Sequence, residues 1–385
     1  MTTDTHDLQM IRDSAHALGS RFDLDYWDEH DQEKKYPWEF INTMAEGGWL
    51  GTMIPEAYGG MGVGLEAACV MLQEVSYFGG ANASSALHFN IFGPGPVIRH
   101  GSEEMKHKHL PDVASGKTRM CFGVTEPTAG VDTSRITTRA ERRDGRWVIN
   151  GQKVWISNAA NATRILLLAR TSPRNPERPY DGMTIFFTDM NREAITVTPI
   201  AKMARNAVDS NELFIENLEV ADEDVVGEVG KGFKYLLDGL NPERIVIAWS
   251  QIGLGRRALD LAVNYANTRV VFDRPIGKNQ AIAHPLADSW IRLQAAQLIS
   301  EQAARLYDQQ KPCGPEANAA KFLATEAVFE VCDRAMQTHG GFCYAKEYHI
   351  ERLWREARLL KIAPVSQEMV LNYVAERVLH LPKSY

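Results

Sequence analysis

The 385 residues contain no HExxH, no GxSxG, no Walker loop and no GxGxxG behind a strand. Zinc proteases, α/β-hydrolases, P-loop NTPases and classical nicotinamide folds therefore lose their signatures, and no metal site is expected. Cysteine is scarce. The five residues at 69, 121, 313, 332 and 343 form neither a CxxC pair nor an even disulfide framework, so a reducing compartment, the cytoplasm, is the economical expectation. No basic, apolar-cored leader stands near Met1 and no apolar run approaches bilayer length, so no membrane role is expected. A net charge of -7 argues against a nucleic-acid surface. What remains is an ordinary composition, 44% hydrophobic and 24% charged, in a chain long enough for two or three domains.

The pattern changes character twice. Over residues 1–118 it is helical: WEFINTMAEGGWLG and GLEAACVMLQEVSYFG space their apolar residues at helical intervals, with IPEAYGGMG as a turn between them. Over 119–230 short β-prone runs appear, among them RWVING, KVWIS, RILLLAR and MTIFFTDM, separated by turn-rich segments. Over 231–385 long helical patterns return, each near thirty residues, as suits a helix bundle. The expected class is α+β, mostly α: a helical domain, a β domain, and a C-terminal four-helix bundle.

Four stretches could carry chemistry. In FGVTEPTAGVD, Thr125, Gly130 and Asp132 lie in a loop whose backbone can approach a polar ligand, and WIS sets the Trp155 indole beside the Ser157 hydroxyl at a strand end. A flat aromatic cofactor could rest there, although a hairpin with a core tryptophan fits the same pattern. In TRVVFDRPIGKNQ, Arg269, Phe272, Arg274 and Gln280 surround a helix break and could hold a pyrophosphate and an adenine, or be merely solvated. In AMQTHGGFCY, the Gly340–Gly341 pair admits a phosphate or simply caps a helix. In LNPERIVIAW, Asn241 is placed to cap a helix, Pro242 to open it and Glu243 to face the positive end of its dipole. Alternatively, Glu243 is desolvated by Ile245–Trp249 and its raised pKa makes it a general base.

Taken in order, IPEAYGGMG, VTEPTAGVD, INGQKVWIS, the RxxF segment with PIGKNQ, QTHGGFCY and WREARLLKI resemble the acyl-CoA dehydrogenase family from Tyr36 almost to the C-terminus. Each motif is loose alone, but six in order are specific. The resemblance implies a homotetramer with one FAD per subunit, an acyl-CoA thioester substrate, and electron-transfer flavoprotein as acceptor. It also implies roles. Phe122, Val124, Thr125 and Gly130 would line the isoalloxazine and ribityl chain, with Trp155 and Ser157 beside the ring. Arg269, Phe272, Gln280, Gln337 and Gly341 would hold pyrophosphate and adenine, partly across a subunit interface, and Ser366 and Glu368 would lie near FAD.

The family's reaction takes the α-proton of the thioester with a carboxylate while the β-hydride passes to flavin N5, leaving a trans-2-enoyl thioester. Many members carry that carboxylate in a YEGT-like sequence near the C-terminus, where this chain has Ala363, Pro364, Val365 and Ser366. A minority, resembling isovaleryl-CoA and long-chain acyl-CoA dehydrogenases, place it on a helix immediately before an arginine. Glu243 followed by Arg244 matches that place, which makes Glu243 the expected base and Arg244 a substrate-binding residue. Two departures matter: Val131 stands where the family commonly has serine, and Pro364 has no N–H to offer the thioester carbonyl. Two glycines in FGPGP, in a region that lines the family's acyl pocket, suggest room for a branched or medium-to-long acyl chain. The competing functions are a flavin-dependent monooxygenase of the same fold and a base-less flavin- or CoA-binding subunit of a mixed oligomer.

Overall fold

The computed structural model describes residues 5–384. Six helices come first: α1 (Thr5–Gly19), α2 (Leu24–Glu33), α3 (Trp38–Glu46), α4 (Gly64–Phe92), α5 (Gly95–His100) and α6 (Glu103–Ala114). Buried on all sides, α4 has no solvent-facing polar stripe, and its buried polar residues, Glu66, Gln73, Glu74 and Asn82 among them, find partners inside the protein. The helix breaks at Gly80, whose φ of 63° and ψ of -148° lie outside the range open to other residues. A Cβ there would stand 2.3 Å from Glu356 Oε2. That carboxylate instead accepts the Ala81 N–H at 2.5 Å, satisfying a donor that the break exposes.

Eight strands follow: β1 (Met120–Gly123), β2 (Arg139–Arg143), β3 (Arg146–Ser157), β4 (Arg164–Arg170), β5 (Met183–Asp189), β6 (Ile195–Pro199), β7 (Ser210–Val220) and β8 (Val225–Val226). They form one sheet in the order β6-β7-β3-β2-β4-β5-β8, with β1 pairing parallel to β4. RILLLAR reads as one apolar run because β4 is buried on both faces. Leu166 and Leu168 pack with Leu110 and Val113 of α6, while Ile165 and Leu167 pack with Trp147, Phe186 and Leu213 on the other side.

The last third comprises α7 (Gly232–Thr268), a two-stranded ribbon of β9 (Val270–Val271) and β10 (Arg274–Pro275), α8 (Gln280–Asp308), α9 (Gly314–His339), α10 (Ile350–Leu359) and α11 (Gln367–Tyr373). Leu254 and Ala258 of α7, Leu293 of α8, Val328 and Val331 of α9 and Leu353 of α10 share one core. A second core joins α4 to α7 through Leu72, Val75, Leu87, Ile245 and Trp249. Among the described residues no helix is long and apolar enough to cross a membrane.

Candidate active site

Glu243 does not open a helix. The helix starts at Gly232, so Pro242 lies in its interior and Glu243 is three turns from the positive end, beyond the reach of the dipole. Asn241 caps nothing; its side-chain oxygen accepts from Arg244 Nη1 at 3.2 Å. An interior proline removes one helical hydrogen bond and leaves the carbonyl four residues back without its donor. Here that carbonyl belongs to Asp238, and Arg99 Nη1 of α5 donates to it at 3.3 Å. Helix continuity through Pro242 is thus secured by a residue 139 positions before Asp238.

What remains of the two readings is burial. Glu243 is only 9% exposed, and burial pushes its carboxyl up to about 7 against the pull of Arg244. Arg244 is itself pulled down by burial, and its Nε has no partner. Lys321, a lysine wholly inside the protein, donates to Gln367 Oε1 at 2.8 Å and is lowered to about 8 by burial and then by Arg244. Sequence reasoning missed it. Lys321 thus lies within the field of Arg244 and bonds to the start of α11, where Ser366 caps the helix by accepting the Met369 N–H at 3.4 Å. Glu368 in that first turn is exposed, its carboxyl lowered by its own backbone N–H and Ser366. Pro364, in the loop before it, is also exposed.

The second group forms a platform at the ends of two strands. Phe122 lies one residue before the end of β1, and Val124 and Thr125 lie in the loop that leaves it; all three are half-buried. Ser157 ends β3, and Trp155 sits on a β-bulge where the β3–β7 register shifts between Lys153 and Ile156. Its φ of 63° turns the ring outward, leaving it 59% exposed. The core tryptophan of the hairpin is Trp147 instead, 6% exposed. The two strand ends are tied together, since the Val154 N–H donates to Thr125 O at 2.9 Å. Gly130 has open space where a Cβ would stand, and Val131 is an exposed apolar side chain beside it.

The third group lies at the far end of α7. Arg269 and Gly341 line one cleft of about 420 Å³ with Tyr265, His339, Gly340 and Phe342. Gly340, with φ 57°, ends α9 as a C-cap, and neither glycine has a neighbour where a Cβ would be. The Arg269 guanidinium stands 5.6 Å from the centre of the Phe342 ring. A cation, an aromatic face and bare backbone suit a pyrophosphate carrying an adenine. Phe272, at the tip of the β9–β10 ribbon, is 93% exposed; Gln280 and Gln337 are exposed and do not line this cleft, nor do the platform residues. Arg274 is spent on Asn279, donating from Nη2 at 2.8 Å.

An exposed indole on a rigid platform and a glycine-floored cationic cleft are features that a dinucleotide with a flat ring would use. Comparison with known proteins names the group. Models of the acyl-CoA dehydrogenase N-terminal, middle and C-terminal domains match residues 5–117, 121–218 and 230–379. The chain is 34% identical to acyl-CoA dehydrogenase fadE12 of Mycobacterium bovis, over 99% of this chain and 98% of the relative. It is 32% identical to the caffeyl-CoA reductase-Etf complex subunit CarC of Acetobacterium woodii, over 94% and 97%. The solved glutaryl-coenzyme A dehydrogenase in complex with glutaryl-CoA superposes with a TM-score of 0.93 at 30% identity, over 100% of this chain and 98% of that one. Matched along almost its whole length by the domains of one family, in their order, the chain belongs to the acyl-CoA dehydrogenases, FAD-dependent oxidoreductases.

Proposed function

We propose that this protein oxidises a branched or medium-to-long acyl-CoA to its trans-2-enoyl-CoA, with Glu243 as the base that removes the α-proton. The observation that carries the reading is a carboxylate buried in an apolar helix turn and held near pH 7, where a base can both be ionised and still take a proton. Neither a monooxygenase nor a base-less subunit gives Glu243 a purpose. FAD, when bound, supplies the hydride acceptor. Phe122, Val124, Thr125, Gly130, Trp155 and Ser157 hold its ring and ribityl chain, with Ser366 and Glu368 nearby. Arg269, Phe272, Gln280, Gln337 and Gly341 hold pyrophosphate and adenine. The cleft and the platform share no residues, and in this reading they belong to different chains, so that one FAD is shared across an interface within a homotetramer.

Arg244, with its unpaired Nε, positions the thioester beside Glu243. Pro364 offers no N–H to the thioester carbonyl, so Val365 provides the nearest backbone donor along that loop. On the acyl side, Gly95 leaves open space but Gly93 packs against the Phe89 carbonyl. The rings of His88, Phe89 and Phe92 contact one another, and Phe92 meets Phe122 at 5.9 Å. That crowding favours a compact branched chain over a long one. Electrons leave through electron-transfer flavoprotein, a partner suggested by the Etf-complex relative, and five buried unpaired thiols support work in the cytoplasm. The test is anaerobic: thioesters of straight, 3-branched and long acyl groups are added to the yellow protein. Bleaching near 450 nm by one class supports the reading, and a flavin that none of them reduces refutes it.

A further inference from the structure

Lys153 stands inside β3, wholly buried, and no step above uses its charge. We propose that Lys153, paired with Glu126, is a positioning residue that staples the two flavin-facing strand ends into one rigid body. The proposal rests on the reading that Val124–Thr125 and Trp155–Ser157 face FAD.

The geometry shows why a staple is needed. The β1–β4 ladder ends at Gly123 paired with Leu167, one residue before Val124. The β3–β7 ladder is interrupted between Lys153 and Ile156, where Trp155 is turned outward. Each element thus loses its sheet bonding at the point where it must present a ligand group, and the single Val154 N–H to Thr125 O bond is the backbone tie between them. Lys153 Nζ supplies the side-chain link by donating to Val124 O at 3.0 Å and Glu126 Oε1 at 2.9 Å.

An apolar residue at 153 would leave the inward-turned Val124 carbonyl without a donor, and a buried ammonium requires a counter-charge. Glu126 provides it and is itself fully engaged. Its Oε2 accepts Thr137 N at 2.6 Å and Thr137 Oγ1 at 2.9 Å, and its Oε1 accepts Thr138 N at 2.9 Å. Burial pushes the Glu126 carboxyl up, but Lys153 and the threonine donors outweigh it, so it stays ionised. Burial lowers Lys153 to about 8, Glu126 opposing, so the ammonium persists at neutral pH. The staple therefore holds three segments: the loop after β1, the bulge of β3 and the approach to β2.

Removing only one partner leaves a buried orphan charge, so Lys153→Met alone is expected to fold poorly. The Lys153→Met/Glu126→Gln double variant removes both charges, keeps an amide oxygen to accept from Thr137 and Thr138, and loses the link. FAD titrated into the apo double variant should bind at least tenfold more weakly than to the parent, and the bound flavin's 450 nm band should lose its fine structure. Trp155→Phe serves as the control for the flavin's location. A shifted band in Trp155→Phe with parental affinity and band in the folded double variant overturns the staple alone. An unchanged band in both overturns the location of the flavin, and the staple with it. In the unaltered holoenzyme, hydrogen exchange gives a test that needs no variant. Peptides covering 124–126 and 153–157 should open at one common rate; rates differing more than tenfold overturn the proposal.

Discussion

Glutamine at position 243 should abolish turnover and strengthen the fold. Burial raises the Glu243 carboxyl from 4.5 to about 7, so between those pH values the folded protein keeps a proton that the unfolded chain gives up. Parent stability consequently falls as pH rises from 4.5 to 7 and levels off above. At about 1.4 kcal/mol per pH unit the loss is on the order of 3 kcal/mol. An amide does not ionise and escapes it, so Glu243→Gln should match the parent at pH 4 and exceed it at pH 8 by up to that amount, about 2 °C per kcal/mol in a chain of this size. Reduction of the flavin by acyl-CoA should meanwhile slow by about 10²–10⁴. The assays are anaerobic stopped flow at 450 nm and thermal unfolding of both holoproteins across pH 4–8. A variant that reduces its flavin near the parent rate, or whose stability advantage does not grow between pH 5 and 7, would falsify the assignment of Glu243.

Three further outcomes are expected. Arg269→Ala should release FAD on gel filtration, since charge-assisted hydrogen bonds to a pyrophosphate contribute roughly 1.5–3 kcal/mol each; retention at parental Kd contradicts the cleft's role. Stripping FAD should shift light scattering toward smaller species, because a ligand held by two chains stabilises their association, whereas an unchanged mass separates cofactor from assembly. Pro364→Ala restores a backbone N–H and, if that loop faces the thioester carbonyl, should raise the reduction rate, one such donor being worth about 3 kcal/mol. An unchanged or lower rate would show that the new N–H does not reach the carbonyl, and that Val365 remains the donor.

The order of helices, sheet and helices was legible because apolar periodicity is a local property, and the apolar run of β4 fits its burial on both faces. The environment of Glu243 was half legible. Its apolar neighbours foretold desolvation, but the Asn-Pro-Glu cue read as a helix start because the compensation for Pro242 comes from Arg99 on another helix. Trp155 likewise defeated simple alternation, since a bulge is a property of two strands and the sequence shows one. Lys153 gave little signal, because it follows Asn150, Gly151 and Gln152 and its burial comes from the strands packed around it. Which carboxylate answers its charge depends on the fold.

The break at Gly80 bears on how the chain is made. The helical segment after it finds its first backbone acceptor in Glu356, 275 residues downstream. A ribosome has almost finished the chain before that carboxylate emerges, so the second half of α4 must wait, uncapped and apolar, while the sheet and the bundle are synthesised. Such a long-range closure makes the second half of α4, made early, among the last segments to mature. Nascent chains truncated before α10 should present that surface to holding chaperones, and C-terminal deletions should register first as disorder near the N-terminus.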